Sequence, residues 1–154
     1  MKMIRKLFSV FERGQSYVEL SVFLTILVIL LGGVADFGRA YLIFLELRDA
    51  GQEGASYGSF TPADFNGIET RVRETMQDPV DLSDPSIVQV IPALSNPLYA
   101  CSGFDPVSLE PNEIIVTVIF NMPVAMPFLG AIIGSQEIPL VATVSNTILK
   151  PPCK

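Results

Sequence analysis

Between Glu19 and Asp36 the chain runs for sixteen residues, Leu20 to Ala35, without a single charge. As α-helix those residues rise about 24 Å, slightly less than a hydrocarbon core of about 30 Å. The helical pattern continues through Ala40, Tyr41, Leu42, Ile43, Phe44 and Leu45, interrupted only by Asp36 and Arg39. Those two are three apart, so they share a helix face and can pair. No proline occurs between Met1 and Thr61, which allows one helix from about Gln15 to Ser56, on the order of 60 Å long. Its first half is apolar all round, as expected of a membrane-held or buried helix. Its second half, with Glu46, Arg48, Asp49 and Glu53, is amphipathic. Gly32-Gly33 is a weak point, since each glycine costs about 1 kcal/mol relative to alanine in a helix. Gly51, Gly54 and Gly58 are expected to fray the far end and to permit close backbone packing.

What precedes the apolar run is basic. Residues 1–14 hold Lys2, Arg5, Lys6 and Arg13 against Glu12, a local +3, which leaves −9 on residues 15–154 of the net −6. The positive-inside rule keeps such a head on the cytoplasmic side. A secretory signal would place small residues after its apolar core. Here Gly14 and Glu19 come before it, and Asp36-Phe37-Gly38 follow with no Ala-x-Ala pattern. The segment therefore reads as a retained anchor with an extracytoplasmic remainder. The acidic remainder argues against nucleic acid as a partner, because nothing would neutralise phosphates. Cys101 and Cys153 both fall in that remainder. They are either a disulfide, worth about 4 kcal/mol in the chain-entropy model, or two buried thiols.

A cut after Gly14 would make Gln15 the new N-terminus and Glu19 the fifth residue. A carboxylate in an apolar bundle is expensive unless paired. A neighbouring subunit's free α-amino group would pair with it and fix the axial offset between subunits, a register role for a buried charge. On an ordinary anchor the same Glu19 would be an interfacial carboxylate and nothing more.

The text Gly14-Gln15-Ser16-Tyr17-Val18-Glu19, with Asp36-Phe37-Gly38-Arg39 after the apolar run, resembles the processing site of type IV prepilins. Among these it is most similar to the TadE-like pseudopilins of tight-adherence (Tad) pili, over roughly residues 12 to 58. The similarity continues more loosely in Val116-Thr117-Val118 and Val141-Ala142-Thr143-Val144. The resemblance implies cleavage after Gly14 by a prepilin peptidase. It also implies a membrane-resident mature subunit, with other pilin or pseudopilin subunits and the pilus assembly machinery as partners in an adhesive filament. Two departures stand out. Leu20 follows the glutamate where pilins of this system usually carry an aromatic, and the chain is much longer than their main filament pilins. The length favours a pseudopilin role, with a large-headed major pilin as the alternative.

Beyond Gly58 the pattern is that of a small α+β head. Thr61-Pro62-Ala63-Asp64 reads as a helix start, with Thr61 as N-cap, Pro62 at the first helical position and Asp64 on the positive end of the dipole. Phe65, Ile68, Val72 and Met76 recur at helical spacing to about Gln77, as a core face. Ile87 to Ile91 reads as a short strand, and residues 92 to 112, with four prolines, as a loop. Ile114 to Asn121 and Ile138 to Ile148 alternate with period two. The first turns Ile114, Val116, Val118 and Phe120 one way, and the second turns Leu140, Ala142 and Val144 inward. Although Ile114 to Gln136 is uncharged for 23 residues, Pro123, Pro127 and the β-branched alternation argue against a second membrane helix. Pro123 to Gly134 is then an apolar connection, either folded over the core or exposed to a neighbour. An antiparallel sheet of about three strands packed on the long helix is the economical arrangement.

The chain has no histidine and no tryptophan. Two cysteines cannot make a four-ligand zinc site, and no phosphate loop is present. Leu98-Tyr99-Ala100-Cys101 has the composition of a lipoprotein box but lies far from any signal segment, and reads as chance. Asp78, Asp81 and Asp84 lack the glycine and distal glutamate of a calcium loop and read as a solvated acidic turn. No catalytic constellation and no cofactor or metal site follows from the sequence. The expectation is a non-enzymatic structural subunit: leader 1–14, apolar helix 15–57, head 58–154. Its rival is a membrane-tethered binding module with an uncut leader.

Overall fold

A computed structural model of the chain describes residues 2–75, 84–97, 111–125 and 134–149, with side chains from Gln15 onward. The elements are helix α1 (Lys2–Phe60), helix α2 (Phe65–Thr75) and strands β1 (Val88–Leu94), β2 (Glu113–Pro123) and β3 (Glu137–Thr147). The strands form one antiparallel sheet in the order β1-β2-β3. This is the α+β class expected from the sequence. The chain's contacts divide it between Gly38 and Arg39.

The first unit is helix alone within the described residues. It runs without interruption through Gly14 and through Gly32-Gly33.

The second unit begins at Arg39 and holds the core. Along α1, Ile43, Leu47, Ala50, Gly51, Gly54, Ala55 and Gly58 are buried. Their spacings of three and four residues put them on one face. Ile68 and Val72 of α2 join them, with Val88, Ile114, Val116, Val118, Phe120, Met122, Ala142 and Val144 from the sheet. Fully burying Ile43 or Leu47 contributes about 1.5–3 kcal/mol each.

The glycines of α1 do not fray its end; they let the helix approach its neighbours. A Cβ on Gly58 would stand 2.9 Å from both Ile114 Cγ1 and Ile68 Cδ1, and one on Gly51 3.3 Å from Val144 Cγ2. The tightest position is Gly54, where a Cβ would run into Val72 Cγ2. Burial of the glycine face against the sheet and α2 outweighs their low helix propensity.

The helix ends at Phe60 because Thr61 precedes Pro62, and a residue before proline avoids the α region. Both the N–H and the hydroxyl of Thr61 donate to the Tyr57 carbonyl, at 3.1 and 3.0 Å. Thr61 therefore closes α1 and does not open α2. The cap of α2 is Asp64: its Oδ1 accepts from the Gly67 N–H at 2.9 Å, and its carbonyl from the Ile68 N–H at 3.0 Å. Asp64 Oδ2 also accepts from the Tyr57 hydroxyl at 3.0 Å, which ties the cap back to α1. Along α2, Ile68 and Val72 are buried as expected, but Phe65 is 41% exposed. Met76 and Gln77 lie outside the described residues.

Strand β1 reaches three residues further than the sequence pattern indicated, taking in Pro92, Ala93 and Leu94. Proline is tolerated because β1 is an edge strand with one ladder only. In β2 and β3 the expected inward residues face the core, and β2 occupies the first half of the uncharged stretch in place of any membrane helix. At the end of the sheet Asn112, 1% exposed, organises a polar junction. Its Oδ1 accepts from the Ser95 hydroxyl at 2.6 Å and from the Asn96 and Glu113 N–H groups, both at 3.1 Å. Its Nδ2 donates to the Asn96 carbonyl at 2.9 Å, and its own carbonyl accepts from the Ile148 N–H at 3.0 Å. One buried residue so joins the ends of all three strands, its side chain linking β1 to β2 and its backbone carbonyl reaching β3, with the side-chain polar atoms satisfied.

Candidate assembly helix and leader junction

Between Tyr17 and Leu31 every large apolar side chain of α1 is exposed, from 38% at Leu27 to 74% at Tyr17. Successive residues of an α-helix turn by about 100°, so a run with no buried member has no face turned to a core of its own. The most apolar 18-residue window within Gln15–Phe60 has a mean hydropathy of 2.4, and none of it is buried inside the chain. A helix apolar on every side is stable only where apolar material surrounds it. One such helix fits a single-pass membrane protein.

The polar groups of this stretch are few, and several are satisfied locally. The Ser21 hydroxyl donates to the Val18 carbonyl, and the Thr25 hydroxyl to the Ser21 carbonyl, both at 2.8 Å. This back-bonding lets hydroxyls sit in an apolar helix at small cost. Glu19 lies on the exposed surface at the start of the apolar run, and its Oε1 accepts from the Gln15 side-chain amide at 3.3 Å. The four-residue spacing of Gln15 and Glu19 is the sequence signal for that contact. Gly14 and Gln15 are both helical, one turn before Glu19.

Asp36 is half-buried and Arg39 exposed, both within α1 at the expected spacing of three. In the second unit the charges gather elsewhere. Arg73 forms an ion pair with Glu69 at 2.7 Å, and its guanidinium donates to the Val88 carbonyl at 3.3 Å, linking α2 to β1. Arg71 stands over the Tyr57 ring, 5.6 Å from its centroid. Glu53, Arg71, Glu74 and Thr75 line a shallow depression. Among the described residues no group of three His, Cys, Asp or Glu side chains is placed to hold a metal ion. Asp84 instead makes a local turn, accepting at Oδ1 from the Ser86 N–H and hydroxyl at 2.8 and 2.7 Å. Asp78, Asp81, Leu98-Tyr99-Ala100-Cys101, Cys153 and Pro127 lie outside the described residues.

No curated protein and no solved structure matches the chain. A protein-family model does, over residues 14–56: the family described as TadE-like protein. The matched stretch begins at Gly14, takes in Glu19 and the whole exposed apolar run, and ends inside the glycine face of α1. Over that N-terminal helical segment the chain is similar to the TadE-like proteins.

Proposed function

We propose that the chain is a structural pilin-like subunit, a pseudopilin or pilin, of a Tad-type IV pilus. In this reading residues 1–14 are a leader, removed between Gly14 and Gln15 by a prepilin peptidase. Residues 15–57 anchor the mature subunit in the cytoplasmic membrane, and residues 58–154 form an extracytoplasmic head. The observation that carries the reading is the helix from Tyr17 to Leu31, apolar and exposed on every side, with one carboxylate at its start. Stored subunits satisfy that surface with lipid; assembled subunits satisfy it with one another's helices, through packing that loses no hydrophobic burial on leaving the membrane. Glu19 then supplies register. In a low-dielectric bundle it is stable only beside a positive group, and the amino terminus created at Gln15 of a neighbouring copy is one. The family match over the same residues supports the reading. Assembly through the helix leaves the head free for surface attachment and adhesion.

The test is the intact mass and N-terminal sequence of the protein purified from its native membrane. A chain beginning at Gln15 is expected. A chain that still carries Met1 in assembled material overturns processing and returns Glu19 to an ordinary interfacial carboxylate.

A further inference from the structure

From Gln15 to Ala35 the chain carries a single charged side chain, Glu19. One turn of α1 before it, Gln15 directs its side-chain amide to that carboxylate, with Nε2 donating to Glu19 Oε1 at 3.3 Å. Side chains of a helix lean toward its N-terminus, so Glu19 reaches back and Gln15 must extend forward for the two to meet. A cut after Gly14 gives the same contact a chemical consequence. Glutamine at a free N-terminus cyclises without enzyme or cofactor. Its neutral α-amino nitrogen attacks its own Cδ, the bond from Cδ to Nε2 breaks, and Nε2 leaves as ammonia with the proton that the attacking nitrogen gives up. The five-membered lactam that remains, pyroglutamate, has no amine and no positive charge. Such a subunit would offer a neighbour's Glu19 no partner, and an unpaired carboxylate in an apolar bundle is expensive.

We propose that Glu19 holds the side-chain amide of the mature N-terminal Gln15 away from its own amine, and so preserves the free amino group of stored subunits against cyclisation to pyroglutamate. The inference rests on the processing reading, and it gives Glu19 a positioning task before assembly as well as a register task within it. Two effects act in the same direction. Ring closure needs Cδ folded back onto the α-amino nitrogen, whereas an amide bonded to Glu19 is directed one turn further along α1. Donation from Nε2 to a carboxylate also pushes electron density into the amide, which makes Cδ a poorer electrophile and Nε2 a poorer leaving group. A neutral acceptor retains the first effect and little of the second. Ser21 and Thr25 do not compete for the carboxylate, because their hydroxyls bond to carbonyls of their own helix. At an exposed site a pair at this spacing changes a population about twofold. Where lipid replaces water the same bond is stronger.

The experiment follows intact mass over time, at neutral pH in detergent, on the mature protein purified from its native membrane. The expected wild-type chain begins at Gln15 with its amine free, and a form lighter by one ammonia accumulates slowly. Glu19→Ala should accelerate that form by at least about twofold. Alanine is a better helix former than glutamate, so a faster rate with unchanged helix content by circular dichroism does not come from fraying. Glu19→Gln keeps an acceptor without the charge and should fall between the two, and Ser21→Ala should match the wild type. A variant that the cell leaves uncut is compared instead as residues 15–154, beside the wild type, each released from an N-terminal fusion by a protease that leaves Gln15 first. Equal rates for the wild type and Glu19→Ala overturn the proposal and leave processing standing. So does a slower Glu19→Ala, which would make the carboxylate a general base for ring closure, and so does a wild-type chain already cyclised in the membrane. A native chain beginning at Met1 removes the processing reading and the proposal with it.

Discussion

Residues 17–31 and residues 43–58 are both α-helix and both rich in apolar or small side chains, yet their surroundings are opposite. In the first stretch Leu27 is the least exposed of the large apolar residues at 38%, and in the second Leu47 is fully buried. Charge separates them, with Glu19 in the first against Glu46, Arg48, Asp49 and Glu53 in the second, and so do periodicity and side-chain size. The first stretch puts Leu, Ile, Val and Phe at every angle around the axis. The second confines Ile43 and Leu47 to one stripe and continues that stripe with Ala50, Gly51, Gly54, Ala55 and Gly58, which bring the backbone close to the sheet. A uniform apolar surface suits a uniform solvent such as lipid, or a set of identical helices. A stripe of decreasing side-chain size suits one specific partner surface, here the chain's own sheet and α2.

The comparison breaks if the two stretches respond alike to truncation. Leu47→Ala should destabilise the head by about 2–5 kcal/mol through lost transfer energy and a residual cavity. Leu27→Ala, whose side chain touches no core, should leave head unfolding unchanged. Chemical denaturation of the full chain in detergent, followed by the tyrosine signal of the head, measures both. Equal losses would show that residues 17–31 are packed within the chain after all.

Adding atoms sharpens the same contrast. A methyl group on Gly33 would have nothing within 4 Å, whereas one on Gly54 would meet Val72 and stand 3.5 Å from Ile68. Gly33→Ala should therefore be neutral or gain up to about 1 kcal/mol of helix propensity. Gly54→Ala gains the same propensity but overpacks a β-branched neighbour at a cost of about 1–3 kcal/mol. A net loss of up to about 2 kcal/mol in the same denaturation assay is expected, and a more stable Gly54→Ala would show that α2 can move away.

How far the sequence discloses this follows from which interactions are local. The alternation in β2, the apolar run and the core residues Ile68 and Val72 are legible because each depends on a period within one segment. The end of α1 is not, since whether Gly54 and Gly58 fray or pack depends on residues as distant as Ile114. Pro92 looks like a loop residue until the strand order makes β1 an edge. Thr61 and Asp64 are both good caps, and only the hydrogen bonds decide between them. For the candidate site, Gly14 and Glu19 are legible by type and spacing. The groups that would act on them, a peptidase and a neighbouring amino terminus, belong to other molecules, so one chain's geometry contributes only the exposure of Glu19 and the Gln15–Glu19 bond.

The cap assignment yields a smaller effect within the head. Asp64→Ala removes the bonds to the Gly67 N–H and the Tyr57 hydroxyl and should cost about 0.5–2 kcal/mol. Thr61→Ala loses one hydroxyl bond to a carbonyl that still accepts from the Thr61 N–H, and should cost less. The reverse order in thermal unfolding would restore Thr61 as the cap.

The smallest effect marks another difference along the chain: no titratable side chain occurs from Leu20 to Ala35, whereas the unit from Arg39 onward carries many. At Asp84 the Ser86 hydroxyl, then the Ser86 N–H, and more weakly the positive Arg73, hold the carboxyl below its ordinary value of 3.8. A depressed folded value means that the unfolded chain takes up its proton first as pH falls. The contribution is therefore fully present above the unfolded value and is lost as pH drops through the folded one, entirely on the acid side of 3.8. Because Asp84 is open to solvent, the consequence for stability is minor and the titration itself is the readout. Carboxyl-detected NMR should give Asp84 a midpoint below 3.8, and Ser86→Ala should move it upward by removing the larger of the two Ser86 bonds. An unchanged midpoint in Ser86→Ala would mean that the backbone N–H and Arg73 suffice, and that the hydroxyl is a bystander in the turn.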